Sequence, residues 1–329
     1  MPRESAPPPI TALAEARAAA RRARDWATAD RLKGELEAAG WRVLDAGTLY
    51  TLERAYPEDE VVDGEVRYGA SRTVPTRLEE APVGLASVVM VVGEPAPRFG
   101  AVVRALVESS PDGTQLVIVA NGVTDAGAQP LAELDAADPG APGIVTEVVR
   151  MRVALGYAAA LNAGIRRAAA PVVIVMDPSL GPAGDIVSPL VAALDDPGVA
   201  VAGPVGLDSR DLRRYTEAAP GARDAVAIDG RLMAFRRSDY VERGPLDEGF
   251  LSGAYLDAWW SLVLRDPGEQ ESEAPSPGRA VCVGGIVAPG GWPGAGPTVL
   301  GDRADPRARR NRYRLLKRFA TRRDLLVPA

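Results

Sequence analysis

The sequence predicts an α/β fold built on a mostly parallel sheet, preceded by a small helical hairpin and a β-hairpin. Three observations carry that prediction. Short continuous apolar runs recur, LASVVMVV from Leu85, QLVIVA from Gln115 and PVVIVM from Pro171, and uninterrupted runs of this length suit strands covered on both faces. Helical periodicity fills the stretches 98–108 and 155–169. Strands alternating with helices give a parallel sheet whose working edge lies at the strand C-termini, where the loops converge.

The elements follow in order. Residues 1–10 read as a tail ending in Pro7, Pro8 and Pro9. Ile10, Leu13, Ala16, Ala20 and Ala23 then recur at helical spacing, Asp25 is placed to cap a second helix carrying Leu32 and Leu36, and Gly40 supplies its stop. Two extended pieces, Trp41 to Leu44 and Leu49 to Leu52, flank Asp45, Ala46 and Gly47 as a β-hairpin, so that 11–56 forms one small unit. The stretch 57–84 opens with PEDEVVDGE, contains Pro75 and Pro82, lacks periodicity and reads as a linker. The large domain runs from 85 to 300, with a further strand before a helix at 155–169 and a fourth buried strand after it. Residues 301–329 form a basic helix with a stripe at Tyr313, Leu316 and Ala320.

Composition narrows the chemistry. Among 329 residues there is no histidine and one cysteine, Cys282, which excludes Ser-His-Asp relays, histidine-ligated metals and an intrachain disulfide. Lys33 and Lys317 are the only lysines. Carboxylates, hydroxyls, amides and arginine are what remain. The net charge of −6 argues against the whole surface being a nucleic-acid platform. Between Arg303 and Arg318, however, eight basic residues accompany the single acid Asp305. That helix has two readings: contact with an anionic membrane surface, or docking on the acidic remainder of the chain. No apolar run approaches the ~20 residues of a membrane span, and MPRESAPPPI lacks a signal peptide's apolar stretch, so the expected address is cytoplasmic, with peripheral contact at the inner membrane surface as an extension of it.

Two stretches resemble known families. ARAAARRARDWATADRLKGELEAAGWRVLDAGTLYTLE looks like the helical piece near the C-terminus of cysteinyl-tRNA synthetases, through Ala16, Arg17, Asp25, Ala29, Asp30, Arg31, Leu32, Leu36, Gly40, Asp45, Gly47 and Thr48. The resemblance implies a tRNA contact. The residues themselves, with charges of mixed sign, suit a reused helical hairpin that packs on its neighbour. Over roughly 85–290 a second, broader resemblance appears. ANGVTD at Ala120 to Asp125, the helix bearing Ala160, Asn162 and Gly164, VVIVMDPS, and DGRLMAFRRSDYVERGPLDEGF are together similar to the motif series of family 2 glycosyltransferases.

That resemblance implies the GT-A fold and transfer of a sugar from a nucleotide-diphospho-sugar to an unknown acceptor. It further implies donor contacts at Asn121, Asp125, Asn162, Asp177 and Ser179, with Mg²⁺ or Mn²⁺ held by Asp177 against the diphosphate. Asp247, Glu248 and Asp257 fall on the acceptor side, where a general base is needed. Several positions depart from the pattern. Ala120 replaces the first acid of its segment, Leu161 replaces an arginine, and Ser179 stands where the metal loop has its second aspartate. The usual base position reads Tyr255, a phenol with an ordinary pKa near ~10, so that Asp257 substitutes only with a shifted helix register. Two functions are compatible with these residues: a transferase with thinned machinery, or a catalytically inactive scaffold used for binding or RNA contact.

Overall fold

A computed structural model of the chain describes residues 6–46, 49–124, 127, 131, 144–268, 277–287, 299 and 305–327. It divides into two compact units, 1–59 and 60–329. No helix among the described residues is long and apolar enough to cross a membrane.

The first unit is a helical hairpin followed by a β-hairpin. Helix α1 (Pro8–Arg22) starts with proline in its first turn, where the missing N–H costs nothing. Helix α2 (Trp26–Ala38) is capped by Asp25, whose carboxylate accepts from the Thr28 N–H at 3.1 Å. Those bonds hold the Asp25 carboxyl below its ordinary range. Ala14, Ala20, Ala29, Leu32, Leu36 and Trp41 are buried. Strands β1 (Trp41–Ala46) and β2 (Leu49–Arg54) pair antiparallel. Arg17, also buried, donates to both oxygens of Asp45 at 2.9 and 2.8 Å, and Arg21 joins the same carboxylate. This fork, chiefly through its hydrogen bonds, lowers the Asp45 pKa and raises that of Arg17.

The second unit is centred on a ten-stranded sheet. Its middle is parallel: β5 (Ala86–Val92) pairs with β6 (Thr114–Asn121) and with β8 (Val172–Met176), and β6 pairs with β7 (Val145–Met151). Each apolar run of the sequence is one of these strands, and β5, β6 and β8 are buried almost throughout. After β9 (Val199–Gly203) come the short strands β10 (Gly206–Asp208), β11 (Thr216–Glu217), β12 (Asp224–Ala225) and β13 (Ala227–Ile228); β14 (Leu232–Arg236) then lies antiparallel between β8 and β9, and β15 (Arg279–Cys282) continues parallel to β9. The stretch read as a linker contributes structure of its own. Strands β3 (Glu60–Val62) and β4 (Glu65–Tyr68) extend the sheet through a parallel pairing of β4 with β7.

Helices cover the sheet. Helix α3 (Phe99–Ser109) follows β5 and buries Phe99, Val102, Val103 and Leu106. Helix α4 (Tyr157–Ile165) is the buried helix between β7 and β8, apolar apart from Tyr157 and Asn162; a Cβ at Gly164 would lie 2.5 Å from Val89 Cγ1 and 2.8 Å from Val119 Cγ2. Glycine is therefore what lets α4 rest directly on β5 and β6. Buried Ser87 and Gln115 lock the chain returning from α4: Gln115 Oε1 accepts from Ser87 Oγ at 2.7 Å and from the Ala169 N–H at 2.9 Å. Helices α5 (Val187–Leu194), α6 (Arg237–Arg243) and α7 (Leu256–Arg265) follow.

Helix α8 (Pro306–Phe319) is the basic helix of the sequence, capped by Asp305. Between its two readings, docking on the chain is realised on the inner face. Asn311 Nδ2 donates to the Ser252 and Ala254 carbonyls at 3.0 and 2.8 Å, and Arg314 pairs with Asp247 at 2.7 Å. Arg318 lies 5.7 Å from the Trp259 ring.

Candidate functional site

Where β8 ends, Asp177 leaves the sheet with its N–H bonded to the Arg231 carbonyl at 2.7 Å. Its Oδ1 accepts from the Ser179 N–H at 2.8 Å and from Ser179 Oγ at 2.6 Å. Asp-Pro-Ser thus folds into a tight side-chain-to-backbone turn. Beside it runs the turn between β13 (Ala227–Ile228) and β14. There Asp229 and Arg231, 1% and 6% exposed, form a forked pair with contacts of 2.7 Å to Nε and 3.1 Å to Nη2. A fork that neutralises both charges is what allows them to be buried.

Gly230, between the two, faces Asp257 at the start of α7. Asp257 Oδ2 accepts from the Gly230 N–H at 3.2 Å, and a Cβ on residue 230 would lie 2.9 Å from Asp257 Cβ. Tyr255, with φ of 63°, is the left-handed residue that turns the chain into the helix. Asp257 therefore sits in the first helical turn, where the helix dipole favours a carboxylate.

These groups enclose a cavity of about 230 Å³ lined by Asp177, Arg231 and Asp257 with Tyr157, Leu161 and Trp260. Tyr255 is not in its wall. Desolvation, followed by the charges of Asp177, Asp257 and Asp229, pushes the Tyr157 phenol well above its ordinary pKa. Of these three carboxylates, Asp177 and Asp257 line the cavity with the phenol. At neutral pH it is a proton donor. Trp260 is buried, and its Nε1–H has no hydrogen-bond partner among the described residues. An orphaned donor in a cavity wall is a natural contact for a ligand acceptor atom.

The remaining sequence-predicted residues lie elsewhere or are committed to other bonds. Asn121 spends both ends of its amide on Leu155, donating to the carbonyl at 3.0 Å and accepting from the N–H at 2.7 Å. Gly122, at φ of 70°, brings that loop within 2.4 Å of a would-be Cβ clash with the Ala154 nitrogen. Asn162, 2% exposed, donates to the Leu246 carbonyl and to Glu248 Oε1 and accepts from Tyr240 Oη and the Leu246 N–H, at 2.9 to 3.1 Å. Burial keeps the Tyr240 phenol protonated, as a donor to Asn162 requires. Glu248 also accepts from Ser71 Oγ. Asp247 receives Arg314 and the Gly249 N–H. Asp125 lies outside the described residues.

Asp229, Arg231 and Tyr157 are not among the residues the sequence singles out, whereas Trp260, which with Trp259 reads from the sequence as core or groove wall, is buried and lines the cavity. Only the glycine between an acid and an arginine in Asp229-Gly230-Arg231 hints at a close approach. The metal expectation also meets the structure here. Asp177 is the single carboxylate of its Asp-Pro-Ser turn, one oxygen is taken by Ser179, and among the described residues no three acidic, cysteine or histidine side chains gather to hold a metal. The described donors do not fit a divalent ion held by the protein alone.

A largely parallel sheet interrupted by one antiparallel strand, with a carboxylate at the end of β8 and a second at the start of α7, defines a domain of GT-A type. The comparisons agree. Residues 87–240 match the family model described as Glycosyl transferase family 2. The fold resembles the crystal structure of GalNAc-T7 with UDP, GalNAc and Mn²⁺, at a TM-score of 0.54 and 17% identity over 71% of this chain and 48% of that one. A lower TM-score of 0.45 relates it to the mannosyltransferase PcManGT from Pyrobaculum calidifontis in complex with GDP-Man and Mn²⁺, at 20% identity over 64% of this chain and 56% of that one. This chain thus spans about half the length of each of these structures. Separately, 54 residues are 52% identical to the cysteine–tRNA ligase of Opitutus terrae, 16% of this chain and 12% of that one. Of the residues carrying the resemblance to cysteinyl-tRNA synthetases, Arg17 and Asp45 bind one another.

Proposed function

We propose that the second unit binds a nucleotide-diphospho-sugar at the cavity and transfers the sugar to an acceptor hydroxyl, with Asp177 on the donor side and Asp257 as the base. The observation that carries this reading is the convergence of Asp177 and Asp257 on one cavity that also holds two neutral donors, Tyr157 and Trp260. In the transfer, the acceptor O–H proton passes to the Asp257 carboxylate as the oxygen attacks the anomeric carbon. The bond from that carbon to the diphosphate breaks, and the nucleoside diphosphate leaves with the electron pair. Neutral N–H and O–H donors at the leaving oxygen stabilise charge that grows only in the transition state.

A second reading, an inactive scaffold, is favoured by a specific observation: the amides of Asn121 and Asn162 and the carboxylates of Asp247 and Glu248 are bonded within the fold. Calorimetry with UDP-, GDP- and dTDP-sugars, with and without Mn²⁺, separates the two. Binding that disappears in Asp177→Ala, with turnover that disappears in Asp257→Asn, supports the transferase. Binding without turnover in any acceptor mixture favours the scaffold, and no binding of any nucleotide sugar overturns both donor assignments.

A further inference from the structure

Helix α8 has two faces of different chemistry. Ala308, Asn311, Leu315 and Phe319 are buried against the domain. On the opposite side Arg309, Arg310 and Lys317 are exposed, and Tyr313 is 69% exposed. With Arg314, Gly249 and Leu251 they line a groove of about 820 Å³. Asp247 neutralises Arg314. Arg309, Arg310 and Lys317 have no ion-pair partner among the described residues.

The loop 246–253 stands between this groove and the cavity described above. Leu246 and Gly253 line the cavity, whereas Gly249 and Leu251 line the groove. The loop is tied on both sides. The first turn of α4 donates to it, from Tyr157 to the Leu251 carbonyl and from Ala158 to the Phe250 carbonyl, each at 3.2 Å.

We propose that the groove is a second anion site, distinct from the cavity, that takes a phosphate-bearing group. Three unpaired cations around one concavity focus positive potential in a chain whose net charge is −6, so the local field is not that of a generally basic protein. Two of the three are arginines, whose planar forks match phosphate oxygens in pairs. The Tyr313 ring and the Leu251 side chain, 44% exposed, give the groove an apolar wall beside its charges. That combination suits a phosphate ester with an apolar substituent. A single exposed aromatic makes a poor stacking platform for a nucleic-acid strand, where successive bases need successive rings. The site stands whether or not the cavity transfers a sugar.

The test uses the full chain and two phosphate sources. Inorganic pyrophosphate is titrated calorimetrically, and phosphatidylglycerol-containing vesicles are compared with pure phosphatidylcholine vesicles by flotation. Each is repeated with Arg310→Gln/Lys317→Gln, which removes two exposed groove charges, and with Arg307→Gln/Arg312→Gln, which removes two charges of the same helix that do not line the groove. Binding of either probe that weakens about tenfold or more in the first variant and little in the second supports the site. Pyrophosphate binding assigns a free phosphate ligand, and binding confined to the phosphatidylglycerol vesicles assigns a lipid headgroup. The proposal is overturned if neither probe binds, if the groove variant binds as the parent does, or if both variants lose equally, the last being the signature of a diffuse field.

Discussion

Around Asn162 and around Asp177 the same domain treats polar side chains in opposite ways. Asn162, on α4, is saturated: each end of its amide is matched by neighbours from α6 and the 246–248 stretch. At the cavity, Asp177 is bonded through one oxygen only, Trp260 has an orphaned N–H, and Tyr157 is held protonated. The first arrangement is the signature of a joint, because a buried amide with every partner satisfied stabilises one geometry. The second is unfinished without a ligand. Motif residues that look equivalent in a sequence are therefore divided by hydrogen-bond satisfaction into those that build the fold and those left for chemistry.

The sharpest way to break the comparison is at Asn162. Asn162→Ala strips partners from the Tyr240 hydroxyl, the Leu246 backbone and Glu248 together, and is expected to cost about 3 kcal/mol of stability, read as a fall in the urea midpoint. Residual folded protein should retain its nucleotide-sugar affinity. Asp177→Ala should do the reverse, abolishing that affinity while the urea midpoint moves by less than about 1 kcal/mol. A midpoint shift as large as that of Asn162→Ala would place Asp177 among the joints.

Trp260→Phe sharpens the contrast at smaller scale. It removes the orphaned N–H and keeps an aromatic ring against Phe235 and Tyr240, whose centroids lie 5.6 and 5.8 Å away. Stability should change by about 1 kcal/mol or less, since no bond is lost, and donor-sugar binding should weaken about tenfold if the indole contacts the ligand. Unchanged affinity would remove Trp260 from the site.

The smallest effect is expected in the first unit, whose Arg17–Asp45 fork is another saturated joint. Asp45 titrates below its unfolded value, so its contribution is present at neutral pH. It is lost as pH falls from the ordinary aspartate value of about 3.9 through the lower folded one. The parent should therefore lose stability on acidification through this range, and Asp45→Asn should flatten that part of the profile in denaturant titrations followed by circular dichroism. Asp45 is one-third exposed, and solvent screening keeps the effect modest.

Much of the fold was legible because the buried strands are continuous apolar runs and α4 is mostly small and apolar residues, patterns that suit interior elements. Strands β3 and β4 were not. They are three and four residues long and mostly exposed, and they join the sheet only through the pairing of β4 with β7, whose partners lie more than eighty residues away. At the candidate site, Asp177 and Asp257 could be named from motif order. The Asp229–Arg231 fork, Tyr157 and Trp260 could not, since their meaning arises only when β14, α4 and α7 converge. The occupied state of Asn121 and Asn162 was equally hidden, because a sequence lists donors and acceptors without saying which ones are already spoken for.

One absent atom has a consequence for how the basic helix meets the loop beneath it. A Cβ on Gly249 would lie 2.2 Å from the Arg314 guanidinium carbon, so any side chain at this position would displace the tip of Arg314 and with it the ion pair to Asp247. The Asn311 bonds to the Ser252 and Ala254 carbonyls would remain. The electrostatic half of the contact between helix and loop is thus open to tuning at a position with no side chain at all.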